Sequence, residues 1–311
     1  MQQAPTAPLK LGAPEWGLIL LQSMLWGSSY FFVAMVQGQL PVFSVTAFRS
    51  LPAAAVLLLV VVVFLGYRLP AQLSQWALFL KFAVINTYIP HLLVVWAQSR
   101  ATGGMAAIFN ATAPVFGIFL AHLLTHDEKL SGHKLAGILV GVMGVVILVG
   151  ADFGMGSGLD ILAKLALLAA PLCYVSANIY ARHHLSEHHP FVIAVMQMLC
   201  SMIVAIPIAL VIDQPWNSPP PSMQALVALA GMGILGSGLS SLCHFTVLRR
   251  AGVTNASLVT LIMPLTPIFL GGLFLGERLT QRDILGASVI AAALILIDGR
   301  VLQWARGWRR S

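Results

Sequence analysis

The sequence predicts an all-α membrane protein with ten transmembrane helices, arranged as two five-helix repeats of opposite orientation. Composition is the first reason: of 311 residues, 59% are hydrophobic and 9% are charged, against roughly 45–50% and about 25% in soluble domains. The second reason is the spacing of turn residues, which separate apolar segments of about 20 residues. A helix of that length crosses about 30 Å of hydrocarbon. The third is a similarity between the two halves. These observations exclude a water-soluble globule.

The first five helices are predicted from apolar segments that end at turn residues or charges. Gly and Pro at 38–41 and 66–70 end the first and second segments, Arg100 ends the third, and the charges at 128–129 separate the fourth from the fifth. The predicted helices cover residues 15–37, 42–65, 75–98, 102–125 and 133–150.

The second five helices follow a Gly-rich run at 152–158. A His-rich stretch at 183–189 and a Pro-rich stretch at 213–221 bound the seventh helix, and charges at 249–250 and 277–278 end the eighth and ninth. The predicted helices cover residues 158–181, 190–212, 223–248, 254–275 and 283–303.

Lysine and arginine are divided unevenly between the two sides that these helices define. Eleven lie on the side of the termini: Lys10, Arg68, Lys129, Lys134, Arg182, Arg249, Arg250, Arg300, Arg306, Arg309 and Arg310. Three, Arg100, Arg278 and Arg282, lie on the other side. Because cytoplasmic loops carry the excess of basic residues, we expect both termini in the cytoplasm.

The two halves, residues 1–152 and 153–311, share a spaced pattern. A shift of 149 to 150 residues aligns Ala101 with Ala251, Ala106 with Ala256, Pro114 with Pro264, Glu128-Lys129-Leu130-Ser131 with Glu277-Arg278-Leu279-Thr280, and Gly137 with Gly286. Five is an odd number of helices, so the second half must cross the membrane in the opposite sense. Inverted repeats of this kind are typical of transporters that alternate access to a site near the midplane.

These motifs carry a resemblance to a known family. The segment 96–149, with Pro114 and the Glu128-Lys129-Leu130-Ser131 motif, and its echo at 276–286 resemble the EamA-type repeat of the drug/metabolite transporter superfamily. The resemblance covers nearly the whole chain and includes Phe48-Arg49. Within that superfamily the sequence is similar to aromatic amino acid exporters of the bacterial inner (plasma) membrane. The resemblance implies a ten-helix 5+5 inverted fold and export of small metabolites.

Enzyme motifs are weak in this sequence. His184-Leu185-Ser186-Glu187-His188 matches a zinc-protease pattern, but that pattern requires a helix in a dry cleft, and here it falls in a predicted loop. Phosphate-binding glycine loops are absent from the sequence, which argues against ATP as the energy source. We therefore expect no catalytic residue, no metal and no cofactor. The expected partners are a small solute and the lipid bilayer, not nucleic acid, with a monomer as the working assembly.

Charged groups within the predicted helices are few, and each is costly enough to suggest a function. Of the ten Asp and Glu residues, none lies near the centre of a predicted helix, so a facilitator, or a carrier coupled through His, is favoured over a carboxylate-driven antiporter. Arg49 has three interpretations: its side chain reaches the interface, pairs with carbonyls, or binds a substrate carboxylate. We expect Lys81 and Lys164 to be interfacial.

Polar and aromatic residues at helical spacing predict a substrate cavity. Gln22, Trp26 and Tyr30 share one face of the first helix, because residues four apart lie above one another. Two asparagines are added because of prolines four residues later. Pro90 and Pro114 have no N–H, so the backbone carbonyls of Asn86 and Asn110 lack their helical hydrogen-bond donor. The predicted substrate-binding residues are Trp26, Tyr30, Asn86, His91, Trp96, Asn110, Tyr174, Asn178, Ser241 and His244.

The sequence leaves three functions open. Export of amino acids, including aromatic ones, agrees with the aromatic stripes and with the resemblance. A drug or nucleotide-sugar carrier would need more basic residues in the cavity than Arg49 alone. A membrane-embedded enzyme or receptor is disfavoured by the internal repeat.

Overall fold

The regular secondary structure in the parts of the chain that the structure describes is all helical. The computed structural model describes residues 12–124, 132–149, 158–251 and 258–298. Within these ranges there is no β-strand. The predicted all-α class is therefore confirmed.

The helical stretches are numbered here in chain order. They are α1 Ala13–Val36, α2 Val42–Phe64, α3 Leu73–Ala97, α4 Gly103–Ile118, α5 Gly132–Val149, α6 Gly158–His184, α7 Pro190–Ile212, α8 Met223–Val247, α9 Leu258–Phe274 and α10 Gln281–Asp298. Six of them, α1, α2, α3, α6, α7 and α8, are long and apolar enough to cross a membrane. The shorter helices include the apolar α4 and α9. That all ten cross the membrane stays a prediction.

Several helices depart from regular α geometry. π-helical segments occupy Leu58–Phe64 in α2, Val84–Tyr88 in α3 and Ile234–Leu239 in α8. In α3 the segment ends just before Pro90, whose nitrogen has no hydrogen to donate. The helices predicted around Pro114 and Pro264 are each broken by a turn beside the proline. π segments widen a helix locally and are frequent at functional sites.

Helix α1 lies at the centre of the packing. It packs against α4, α8 and α9, while α7 packs against α2 and α3, and α6 packs against α3 and α4. Helices α5 and α10 also cross closely, because a Cβ atom on Gly144 would meet the Gly286 carbonyl oxygen at 3.2 Å. Large apolar side chains such as Leu139 and Phe269 lie on the outside. Exposure of such an apolar surface to water would be unfavourable, whereas contact with lipid tails, which are equally apolar, is not.

Two cations bind the C-terminal end of α5. Lys164 Nζ donates to the Leu148 carbonyl oxygen at 2.9 Å, and Arg282 Nε donates to the carbonyl oxygen of Ile147. Lys164 is 9% exposed, so neighbouring helices cover it, and its place at the membrane interface stays a prediction. The last carbonyls of a helix have no intrahelical donor and carry a partial negative charge. This explains why a buried ammonium is stable here.

Candidate functional site

A small cavity lies between α1, α2, α3 and α6. Its lining residues are Trp26, Ser29, Tyr30, Val33, Arg49, His91, Val94 and Tyr174. Four of the predicted substrate-binding residues, Trp26, Tyr30, His91 and Tyr174, therefore come together here. The cavity volume is about 20 Å³, which is room for about one water molecule. The cavity is thus too small for an amino acid, which would require the helices to separate.

Arg49 supplies the cation of this cavity. It is 4% exposed, and its Nη2 donates to Ser29 Oγ at 3.0 Å and to Ser237 Oγ at 2.8 Å. Its Nε is buried without a hydrogen-bond partner. Among the described residues, no carboxylate oxygen lies within 4.0 Å of the guanidinium. A buried charge without a counter-ion is costly, so an anionic group in the cavity would be strongly favoured.

The position of Arg49 follows from local structure at the start of α2. The Ser44 backbone N–H donates to Asp213 Oδ2 at 2.6 Å, which ties the first turn of α2 to the end of α7. Arg49 lies five residues after Ser44 on α2, and its side chain bonds to residues of α1 and α8. Ser237 reaches it from the π-helical segment of α8. Three helices distant in sequence therefore meet at one guanidinium.

Trp26 links the cavity to a second polar pair. Its ring contacts Tyr174 edge-on, with centroids 6.5 Å apart, and also contacts His244 edge-on, with centroids 6.0 Å apart. His244 Nδ1 shares a hydrogen bond of 2.8 Å with Gln22 Nε2. The predicted His244 therefore lies outside the cavity lining, one aromatic ring away from it.

The two predicted asparagines occupy other buried places. Asn86 Nδ2 donates to Gln197 Oε1 over 3.1 Å. Asn110 is 3% exposed, its Nδ2 lies 4.0 Å from Met263 Sδ, and its Oδ1 has no hydrogen-bond partner. Neither lines the cavity at Arg49, and their assignment to the substrate site stays a prediction.

The remaining predicted residues are not brought to the cavity either. Trp96 is half-buried and packs against the apolar core around α4 and α6. Ser241 Oγ donates to the Ser237 carbonyl oxygen one turn earlier, at 2.6 Å, a bond common for serine within helices. Asn178 is exposed on α6. Their assignment to the substrate site stays a prediction.

Two polar residues of the cavity, Arg49 and Ser29, were not predicted as site residues, nor were the apolar Val33 and Val94. Arg49 was left open between three interpretations, and the structure decides against the interface, because its side chain points inward to Ser29 and Ser237. Its signal was a lone arginine within an apolar segment, which is expensive and hence functional by default. Ser29 gave no signal, because serines in membrane helices usually serve packing.

The histidine pattern at the end of α6 has a packing explanation. His184 stacks on Tyr180 with ring centroids 4.3 Å apart, and His188 contacts Phe79 at 5.0 Å. In the part of the chain that the structure describes, no group of three His, Cys, Asp or Glu residues is placed to hold a metal ion.

Comparison with solved structures shows that this fold is known. The chain superposes on a protein of known crystal structure with a TM-score of 0.63 at 17% identity, covering 91% of this chain and 95% of that one. Residues 15–150 and again residues 161–298 match the model of the EamA-like transporter family. The chain belongs to this family.

Relatives of this EamA-like transporter are themselves named as transporters. "Uncharacterized transporter YoaV" of Bacillus subtilis is 25% identical over 89% of this chain and 94% of its own length. "Uncharacterized inner membrane transporter YedA" of Escherichia coli K12 is 24% identical over 91% and 90%. "Probable amino-acid metabolite efflux pump" of the same strain is 23% identical over 93% and 96%. The protein is thus a multi-pass membrane transporter, which implies a small-molecule substrate and a lipid environment.

Proposed function

We propose that this EamA-like transporter exports small zwitterionic or neutral metabolites, most of all amino acids including aromatic ones. The observation that carries the proposal is Arg49, a buried cation without a carboxylate partner among the described residues, inside a cavity whose other large side chains are Trp26, Tyr30, His91 and Tyr174. The guanidinium suits a carboxylate, and the rings suit a planar or apolar side chain. The efflux-pump relative supports the same substrate class.

Alternating access between two inverted five-helix repeats, residues 1–152 and 153–311, is the proposed mechanism. The family model matches each half separately. The π-helical segments of α3 and α8 begin at Val84 and Ile234, which agrees with the shift of 150 residues between the aligned motifs. The proline-linked breaks near Pro114 and Pro264 follow the same shift. The π-helical segments and the helix breaks depend on particular residues rather than on general hydrophobicity. Their recurrence at the same spacing therefore supports an internal repeat.

The proposed location is the bacterial inner membrane, with both termini in the cytoplasm. The inner-membrane relative supports the location, and the excess of eleven basic residues over three supports the orientation.

Cysteine labelling tests this orientation. In a background that lacks Cys173, Cys200 and Cys243, a single cysteine at Asn217 is expected to react with an impermeant thiol reagent added to intact cells, and one at Ser186 only after lysis. Both positions are exposed, so the reactivity of each cysteine depends on the side of the membrane on which it lies and not on burial. Labelling of Ser186→Cys alone in intact cells contradicts the orientation.

Two other functions have less support. A nucleotide-sugar or drug carrier of the same superfamily would need several cations for phosphates, whereas Arg49 is the single Lys or Arg among the described residues that line the cavity. An enzyme or receptor has less support, because the family and the named relatives are transporters.

Counterflow in proteoliposomes tests the proposed function. Vesicles loaded with unlabelled amino acids are expected to accumulate labelled L-phenylalanine transiently. The flux should not require an imposed pH difference, because none of the described residues that line the cavity is a carboxylate. Vesicles without protein, and a phosphorylated solute such as a nucleotide sugar, serve as controls. Flux of the nucleotide sugar alone contradicts the substrate class, and uphill flux that depends on the pH difference contradicts the facilitator.

A further inference from the structure

Asn86 and Gln197 form a polar contact between the two halves of the chain, apart from the cavity at Arg49. Asn86 Nδ2 donates to Gln197 Oε1 over 3.1 Å. Asn86 belongs to the π-helical segment Val84–Tyr88 of α3, and α7, which carries Gln197, packs on that segment. Gln197 is buried at 7% exposure. Two amides are therefore held at the interface of the two proposed repeats.

This contact has a counterpart in the one between Arg49 and Ser237. Ser237 lies in the π-helical segment of α8, and α2, which carries Arg49, packs on that segment. Arg49 and Gln197 each lie seven residues after the first residue of their helix. A helix thus packs on a π-helical segment at two related junctions. One junction carries the guanidinium of Arg49, and the other, the amide junction, carries the amide of Gln197. In inverted repeats the two junctions lie toward opposite faces of the membrane.

The amide junction carries hydrogen-bond acceptors that the protein leaves unused. Asn86 Oδ1 has no hydrogen-bond partner among the described residues. Ser201 lies one turn after Gln197 on the same face of α7, and its hydroxyl is buried at 1% exposure without a partner. Among the described residues, no cation donates to either amide side chain. Neutral oxygens of this kind accept hydrogen bonds from a donor group but do not neutralise a carboxylate.

We propose that Asn86, Gln197 and Ser201 form a second substrate subsite, which binds the ammonium group of the solute before its carboxylate moves on to Arg49. This inference rests on the proposed function. In the structure the two amides bond to each other, so separation of α3 from α7 breaks one hydrogen bond and presents two amides and a hydroxyl. In the proposed orientation this subsite lies on the cytoplasmic side, where an exported solute enters and is held before its carboxylate reaches Arg49.

Competition by partial analogues of phenylalanine tests the subsite. Phenethylamine carries the ammonium without the carboxylate, and 3-phenylpropionate carries the carboxylate without the ammonium. In counterflow of labelled L-phenylalanine, Asn86→Leu and Gln197→Leu are expected to weaken inhibition by phenethylamine at least about fivefold and to leave inhibition by 3-phenylpropionate within about twofold. A residue that only packs would change both inhibitors equally, so the difference between them reports the binding role.

Controls separate folding from binding. Thr246→Val removes a hydroxyl that bonds within α8, and it should change neither inhibitor. If the leucine variants fold poorly, Gln197→Glu keeps size and adds a negative charge, and it is expected to strengthen inhibition by phenethylamine. Equal effects on both inhibitors, in folded Leu and Glu variants of a transporting protein, overturn the subsite. A wild type that transports no amino acid contradicts the proposed function, and the subsite falls with it.

Discussion

Arg49→Met is expected to reduce amino acid transport about 100-fold while leaving the protein at least as stable as the wild type. Charge-assisted hydrogen bonds from the guanidinium to a carboxylate contribute about 3 kcal/mol, which corresponds to about 100-fold in affinity. The same charge is buried without a carboxylate partner among the described residues, so its removal relieves a desolvation cost. Transport rates over a range of L-phenylalanine concentrations, and thermal unfolding in detergent, measure the two effects.

Arg100→Met is the matched control for this change. Arg100 forms an exposed ion pair with Asp160 at 3.5 Å, and such pairs contribute about 0–1 kcal/mol. Transport by the Arg100→Met variant should therefore stay within about twofold of the wild type. Arg49→Lys keeps the charge without the fork of donors and should retain part of the activity. A large drop in melting temperature for Arg49→Met, with transport unchanged in the fraction that folds, would show that Arg49 is structural instead.

Gly233→Leu is expected to cost most of the folded protein. Gly233 of α8 packs on α2 beside the carbonyl oxygen of Arg49, and a Cβ atom there would contact that oxygen, the ring of Pro52, and the Ala53 nitrogen at 3.2 Å. Because these are backbone and ring atoms, they cannot rotate away. Overpacking typically costs about 1–3 kcal/mol, occasionally more, and we expect about 3 kcal/mol or more here. Yield of monodisperse protein and melting temperature in detergent measure it.

Gly17→Leu is the matched control, since nothing lies within 4 Å of a Cβ atom at Gly17. It makes the same change on the exposed side of α1 and should leave yield, melting temperature and transport unaltered. A Gly233→Leu protein with wild-type stability and transport would show that α8 and α2 separate at this point at no cost. The close contact that brings Ser237 to Arg49 would then be unnecessary for the fold.

Helix positions could be read from the chain because they depend on local properties. The predicted segments 42–65 and 190–212 correspond to α2 at Val42–Phe64 and α7 at Pro190–Ile212. Length, apolar content and flanking Gly or Pro determine such boundaries. The π-helical segments were not predicted, since a change of hydrogen-bond register leaves no simple mark in sequence. Pro90 signalled only that the backbone near Asn86 would be irregular.

The candidate site was predicted in part. Residues on one face of one helix follow from the period of 3.6, so Trp26 and Tyr30 were found together. Which helices face each other does not follow from that period. For this reason Asn178 and Trp96 were predicted at the cavity but lie elsewhere, and Ser29, which lines it, gave no signal.

What the sequence by itself determined is that this is a helical, membrane-embedded chain of the EamA type with a cation at Arg49. Those properties follow from composition, segment length and motifs, because a backbone in lipid must satisfy its own hydrogen bonds. Only the tertiary structure decided what Arg49 does. Its partners Ser29 and Ser237 are 20 and 188 residues away in the chain, and a cavity of about 20 Å³ is lined by side chains on four helices. Contacts between residues so distant depend on how whole helices pack, which no local pattern encodes.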